Sequence, residues 1–142
     1  MSQDIAFVRF FSRWLLAILF TMAGYWKVFE LTAVNHANNF FVAGYSDSWI
    51  PEWLLLALGH LIPYWELIAG LLLAIGFRCR EVLVSLGVLL LITTYGHALK
   101  EPLFDIDGHT FTRMMLIFIA LAISAKKDFF TMDQFFLQRK EL

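Results

Sequence analysis

Cysteine is nearly absent from this chain: Cys79 stands alone among 142 residues. One thiol excludes an intramolecular disulfide and a Cys-x-x-Cys redox pair, so any redox role needs a bound cofactor, a quinone or a partner. Charge is also scarce. Asp, Glu, Lys and Arg make up 16% of the sequence, the net charge is −1, and no basic run is dense enough to grip nucleic acid. The His-x-x-x-His, His-Glu-x-x-His and Cys-x-x-Cys-His spacings that mark metal and haem sites are missing, and no internal repeat is present.

What fills the space is apolar. Hydrophobic residues form 60% of the chain, against roughly 45–50% in soluble domains. A soluble fold this small cannot hide so much apolar surface, and a bilayer can. The expectation is an all-α integral membrane protein, a single four-helix domain over 1–142. The first span runs from about Phe7 to Phe29, with an uncharged core from Trp14 to Trp26. It is too long, and its Thr21-Met22-Ala23 segment too poor a cleavage site, for a signal peptide. The second runs from about Trp53 to Phe77, and Pro63 should kink or restart it. The third runs from about Glu81 to Leu99. The fourth, over 111–127, is short and should borrow from its flanks, with Lys126 and Lys127 snorkelling.

Basic residues orient the bundle. Arg9, Arg13, Arg78, Arg80, Lys126, Lys127, Arg139 and Lys140 fall on one side, whereas Lys27, Lys100 and Arg113 fall on the other. The positive-inside rule places the first group, and both chain ends, in the cytoplasm. The tail over 128–142 repeats Phe129, Met132 and Phe136 at helical spacing, with Lys127, Asp133 and Arg139 among them. It reads as an amphipathic interfacial anchor, with partner docking as the lesser alternative.

Polar groups in a span are costly and point to function. They gather at the outer side: His36 in the long loop, His60 two turns into the second span, His97 near the end of the third, His109 before the fourth, with Asp105, Asp107, Lys27 and Arg113. Several chemistries are open. His60 and His97, on antiparallel helices, offer axial ligands for haem b. They also offer part of a metal site with Asp107 or His109. A quinone fits better: Lys27, His97 and Arg113 can donate to its carbonyls and Glu66 can relay its protons, so the candidate cofactor-binding residues are Lys27, His60, His97 and Arg113 and the candidate catalytic residues Glu66 and His97. Against this, Glu66 can simply pair with a basic residue or with backbone freed at Pro63. Arg13, Phe20 and Lys27, spaced by seven, share one face with Gly24, while Glu66, Gly70 and Gly76 favour close helix packing. An aromatic belt accounts for most Trp and Tyr residues.

In their order and spacing, Arg13, Leu16, Phe20, Gly24 and Lys27, then Pro63, Glu66, Gly70, Leu73, Gly76 and Arg80, then His97, resemble the DoxX-like family of small membrane proteins. The resemblance covers about Phe10 to Ser124. It implies a four-helix bundle in a prokaryotic plasma membrane, and a role beside redox complexes such as the thiosulfate:quinone oxidoreductase to which the family's namesakes are tied. The functions to weigh are a subunit of a quinone-linked redox assembly, a non-catalytic scaffold for other membrane subunits or a homo-oligomer, and a small-solute or proton transporter. The loop from Glu30 to Glu52 is the expected seat of partner specificity.

Overall fold

The computed structural model describes residues 2–101, 110–123 and 128–140, and side chains at 3–101, 110–123 and 128–136. His109, Asp105, Asp107, Lys126 and Lys127 lie outside the described residues, as do the side chains of Arg139 and Lys140. Helix α1 covers Ser2–Tyr25 and continues as a π-helical turn over Trp26–Glu30. A short α2, Ala33–His36, leads into a π-helical stretch, Ala37–Val42, and a 3-10 turn, Ala43–Tyr45. Then follow α3 (Glu52–Ile75), α4 (Cys79–Lys100), α5 (Thr112–Ala122) and α6 (Met132–Lys140).

Three helical stretches, Gln3–Glu30, Glu52–Ile75 and Cys79–Lys100, are long and apolar enough to cross a membrane. They mark a multi-pass membrane protein. The fourth candidate is shorter than expected. Helix α5 has 11 residues, about 17 Å, and stops because Ile123 turns to extended backbone at φ −92°, ψ 130°.

Helix α1 packs on α3 and α5, and α4 closes the ring by packing on the same two. Neighbouring helices run antiparallel. Arg13 reaches Leu73 and Ala74 while Lys27 reaches Glu66 on α3; Arg9 reaches Ala120 while Arg113 lies on Phe20. The core is the inner seam of this ring, centred on Leu16, Phe20, Leu73, Leu83, Leu86 and Ile117. The outer faces stay apolar: Phe11, Leu15, Ile18 and Met22 on α1, Leu61, Ile68 and Leu71 on α3, and Val84, Val88 and Leu91 on α4 are all exposed. Apolar inside and out is the pattern of a helix bundle solvated by lipid.

The tightest contact is between α1 and α3. A Cβ on Gly24 would stand 2.4 Å from the Leu67 amide nitrogen, and one on Gly70 would stand 2.5 Å from that of Thr21. The two glycines let the backbones touch, as small residues do in membrane helix pairs. Gly70→Leu should therefore push the helices apart and cost about 1–3 kcal/mol. A clear fall in thermal unfolding temperature in detergent would register it; an unchanged melt would mean the seam is looser than its geometry.

Pro63 does not restart α3, which runs unbroken from Glu52 to Ile75. The reversal into α4 comes at Gly76, with φ +69° and ψ 37°. There the Phe77 amide bonds the Leu72 carbonyl and the Gly76 amide bonds that of Leu73, a Schellman end that glycine enters without strain. Arg78 is also left-handed, at φ 46°.

One expectation needs correcting. The stretch from Glu30 to Glu52 is not an open loop: its helical turns pack back onto α3, and Tyr45 reaches α4, where a Cβ on Gly96 would stand 3.0 Å from its hydroxyl. The tail is also tied into the bundle. Asp128 and Thr131 are buried, while Phe130, Phe135 and Phe136 are exposed. The tail turns Asp128 and Thr131 inward and packs Phe129 on Phe7 and Phe10, while its other described aromatics face outward.

Candidate functional site

The described polar groups form two clusters, one at each end of the bundle. At the first end, Arg9 and Arg13 lie on one face of α1, a turn apart, and both are buried. Each donates through Nε to the same atom, Oδ2 of Asp128, at 3.1 Å. Oδ1 of Asp128 accepts from the Phe129 amide at 2.8 Å. The remaining guanidinium donors cap helix ends. Arg13 Nη1 bonds the carbonyls of Leu73 at 2.7 Å and Ala74 at 3.1 Å, and its Nη2 bonds that of Phe129 at 2.9 Å. Arg9 Nη1 bonds the carbonyl of Ala120 at 2.6 Å and also that of Ile123. Ala74 and Ala120 lie at the C-terminal ends of α3 and α5, where the helix dipole favours a cation; Leu73 also accepts from the Gly76 amide, and Phe129 lies in the segment before α6. Asp133 completes the cluster by accepting from the Arg78 and Cys79 amides, at 2.7 and 2.8 Å, at the N-terminus of α4. Every charge here is consumed by a helix end or another charge. This cluster is a lock.

At the other end, Lys27 on the π-helical turn donates to Glu66 Oε2 on α3 at 2.6 Å. The Glu66 side chain is 5% exposed and that of Lys27 is 23%. The π-helical winding adds a residue to the turn, a feature common at functional positions. Glu66 thus pairs with a basic residue and not with the Gly59 carbonyl freed at Pro63. That carbonyl has another user. Proline lacks the N–H that residue 63 would give to Gly59, and His36 supplies the missing donor, its Nδ1–H donating to the Gly59 carbonyl at 2.7 Å. Close approach is possible because residue 59 has no side chain: a Cβ there would stand 2.5 Å from Ala37 Cα.

His36 is buried against Phe40 and Phe41. Burial pushes its pKa below the ordinary 6.5; the bond to Gly59 pulls upward, Lys27 and His60 push further down, and Glu66 pulls up. The fold therefore favours neutral His36, and the unfolded chain protonates more readily. Stability from this residue is full above about pH 6.5 and is lost as the pH falls below it, levelling once the folded form also protonates. Unfolding temperatures measured at pH 7.5 and 5.5 should fall with acid, and the fall should shrink in His36→Gln, whose amide still reaches Gly59. Equal pH dependence in the two proteins would clear His36 of the effect.

The other sequence-derived residues are placed less centrally. His60 donates through Nδ1–H to the Leu56 carbonyl one turn back, at 2.8 Å, and lies near enough to His36 to affect its charge. Arg113, on the first turn of α5, sits over the Phe20 ring at 5.6 Å, two turns inward from Lys27. His97 lies exposed near the end of α4. The bond from Trp65 to Ser85 sets the antiparallel register. It puts His60 level with Leu90 and leaves His97 about two turns further out, not level as two axial ligands of one haem need. Among the described residues, no group of three or more His, Cys, Asp or Glu is placed to hold a metal ion.

Lys27, Glu66, His36 and His60 are thus the residues the fold draws together. Sequence reasoning passed over His36 as a site residue. The available signal was Pro63 with Gly59 four positions before it: a carbonyl without its helical donor, buried, must find one elsewhere. No family model matches the chain, and no curated protein or solved structure matches it.

Proposed function

We propose that this chain is a small subunit of a quinone-linked redox assembly in a prokaryotic plasma membrane. In this reading the end carrying Arg9 and Arg13 faces the cytoplasm and the Lys27–Glu66 cluster lies towards the outer face. The observation that carries it is the Lys27–Glu66 ion pair, held at 2.6 Å between α1's π-helical turn and α3 with the Glu66 side chain only 5% exposed. Desolvating two charges is expensive, and an apolar pair would pack the same seam at lower cost. Lys27 keeps part of its surface open and can donate to a quinone oxygen while Glu66 receives or releases the proton. The order of Lys27, Glu66 and His97 along the chain, similar to that of DoxX-like proteins, points the same way.

The test is titration of the purified protein in lipid nanodiscs with a soluble quinone analogue. Saturable binding should appear in wild type and be lost in Lys27→Met. A wild type that binds no analogue, or a Lys27→Met variant that binds as well, overturns the site. His97→Ala should matter less, because its side chain is set apart from the cluster.

A second reading, a non-catalytic scaffold, is favoured by one observation: the buried cations Arg9 and Arg13 are fully engaged within the chain. Isolation from membranes under mild detergent decides it. Co-purification of other membrane subunits supports it, and a chain that always runs alone removes it.

A further inference from the structure

Resting on the quinone reading above, we propose that His36 is a third residue of the Lys27–Glu66 site, and that it makes the site select the reduced head group, a quinol, over the quinone. The argument begins with proline. Residue 63 has no N–H, so the Gly59 carbonyl lacks its helical donor. His36 provides that donor from Nδ1 at 2.7 Å. A carbonyl can only accept, so the bond fixes the proton on Nδ1 and leaves Nε2 of the neutral ring as a lone-pair acceptor. The backbone of α3 therefore sets the tautomer of a residue on α2.

The placement follows from the helices. Gly59 and Glu66 are seven residues apart on α3, on one face. Side chains lean towards a helix N-terminus, so the Glu66 carboxylate leans from its own turn towards that of Gly59. Lys27 and Glu66 are among the charged groups that act on His36. Lys27 offers only hydrogen-bond donors, whereas neutral His36 offers an acceptor. Both quinone and quinol have an oxygen that accepts from Lys27. Only the quinol has a hydroxyl hydrogen to give to His36 at the other side of its ring. A quinone carbonyl facing the Nε2 lone pair meets acceptor with acceptor.

The experiment compares a soluble benzoquinone with its hydroquinone, titrated anaerobically into the full chain in nanodiscs. Wild type should bind the hydroquinone about tenfold more tightly, the worth of one hydrogen bond of ordinary strength. His36→Phe should lose that preference while quinone affinity changes less than about threefold. His36→Gln keeps a donor for Gly59 and an acceptor besides, and should retain most of the preference if the phenylalanine variant fails to fold. Nitrogen NMR of labelled histidine gives a reading without ligand: His36 should show protonated Nδ1 and bare Nε2. Binding of both forms with equal affinity, or a spectrum with the proton on Nε2, overturns the role of His36 and leaves the site standing. Binding of neither form to wild type overturns the quinone reading itself.

Discussion

Replacing Arg13 with methionine should cost the bundle about 3–5 kcal/mol, the penalty for removing one member of a buried charge cluster. The side chain is 1% exposed, so water cannot fill the gap. Three backbone carbonyls, those of Leu73, Ala74 and Phe129, would lose a donor together, Leu73 alone keeping the Gly76 amide, and Asp128 would keep Arg9 as its one ion-pair partner among the described residues. Arg13→Lys retains the charge without the planar fork and should fall between methionine and wild type, since one ammonium cannot reach acceptors on both α3 and the segment before α6. Thermal unfolding in nanodiscs gives the order wild type, lysine, methionine. A methionine variant that melts within a degree or two of wild type would mean the lock is not a main source of stability.

Lys27→Met should also be strongly destabilising, by about 2–4 kcal/mol, because it strands the Glu66 carboxylate in an apolar wall. The estimate sits below that for Arg13 because Lys27 is 23% exposed and part of its charge is already met by solvent. Joining Lys27→Met to Glu66→Leu removes both charges and should recover most of the loss, as apolar replacements of buried pairs commonly do. The cycle isolates the pair's interaction and separates two roles. A stable double variant that no longer binds a quinone analogue assigns the pair to function. A double variant as unstable as either single one assigns it to packing, through the seam at Gly24 and Leu67.

The three long spans were legible because uncharged runs of this length leave few alternatives, and the observed helices start and end within a few residues of the expected places. The tight return after Ile75 was legible from its glycine and flanking arginines. Less could be read where polar residues fold inward. Asn35, His36, Asn38 and Asn39 look like solvent-facing loop, yet this stretch winds into helical turns whose inner side, Ala33, His36 and Ala37, is buried. Asp128 follows two lysines and reads as one more surface charge; only the fold shows that its partners lie 119 and 115 positions earlier. Pairing across such distances leaves no local trace. The Lys27–Glu66 pair was half visible: each residue stood out on its own span, and the ion pair was one of two alternatives for Glu66.

The clasp between Arg9 and Asp128 has a consequence in time. Its partners are separated by 119 residues, about 6–24 s of synthesis at ~5–20 residues per second. During that interval α1 must enter the bilayer carrying two guanidiniums whose carboxylate has not yet left the ribosome. Until Asp128 arrives, the two guanidiniums lack the carboxylate that the finished fold gives them. A chain interrupted between α5 and Asp128 would lack the clasp altogether, leaving the ends of α3 and α5 held to α1 by cations with no carboxylate between them.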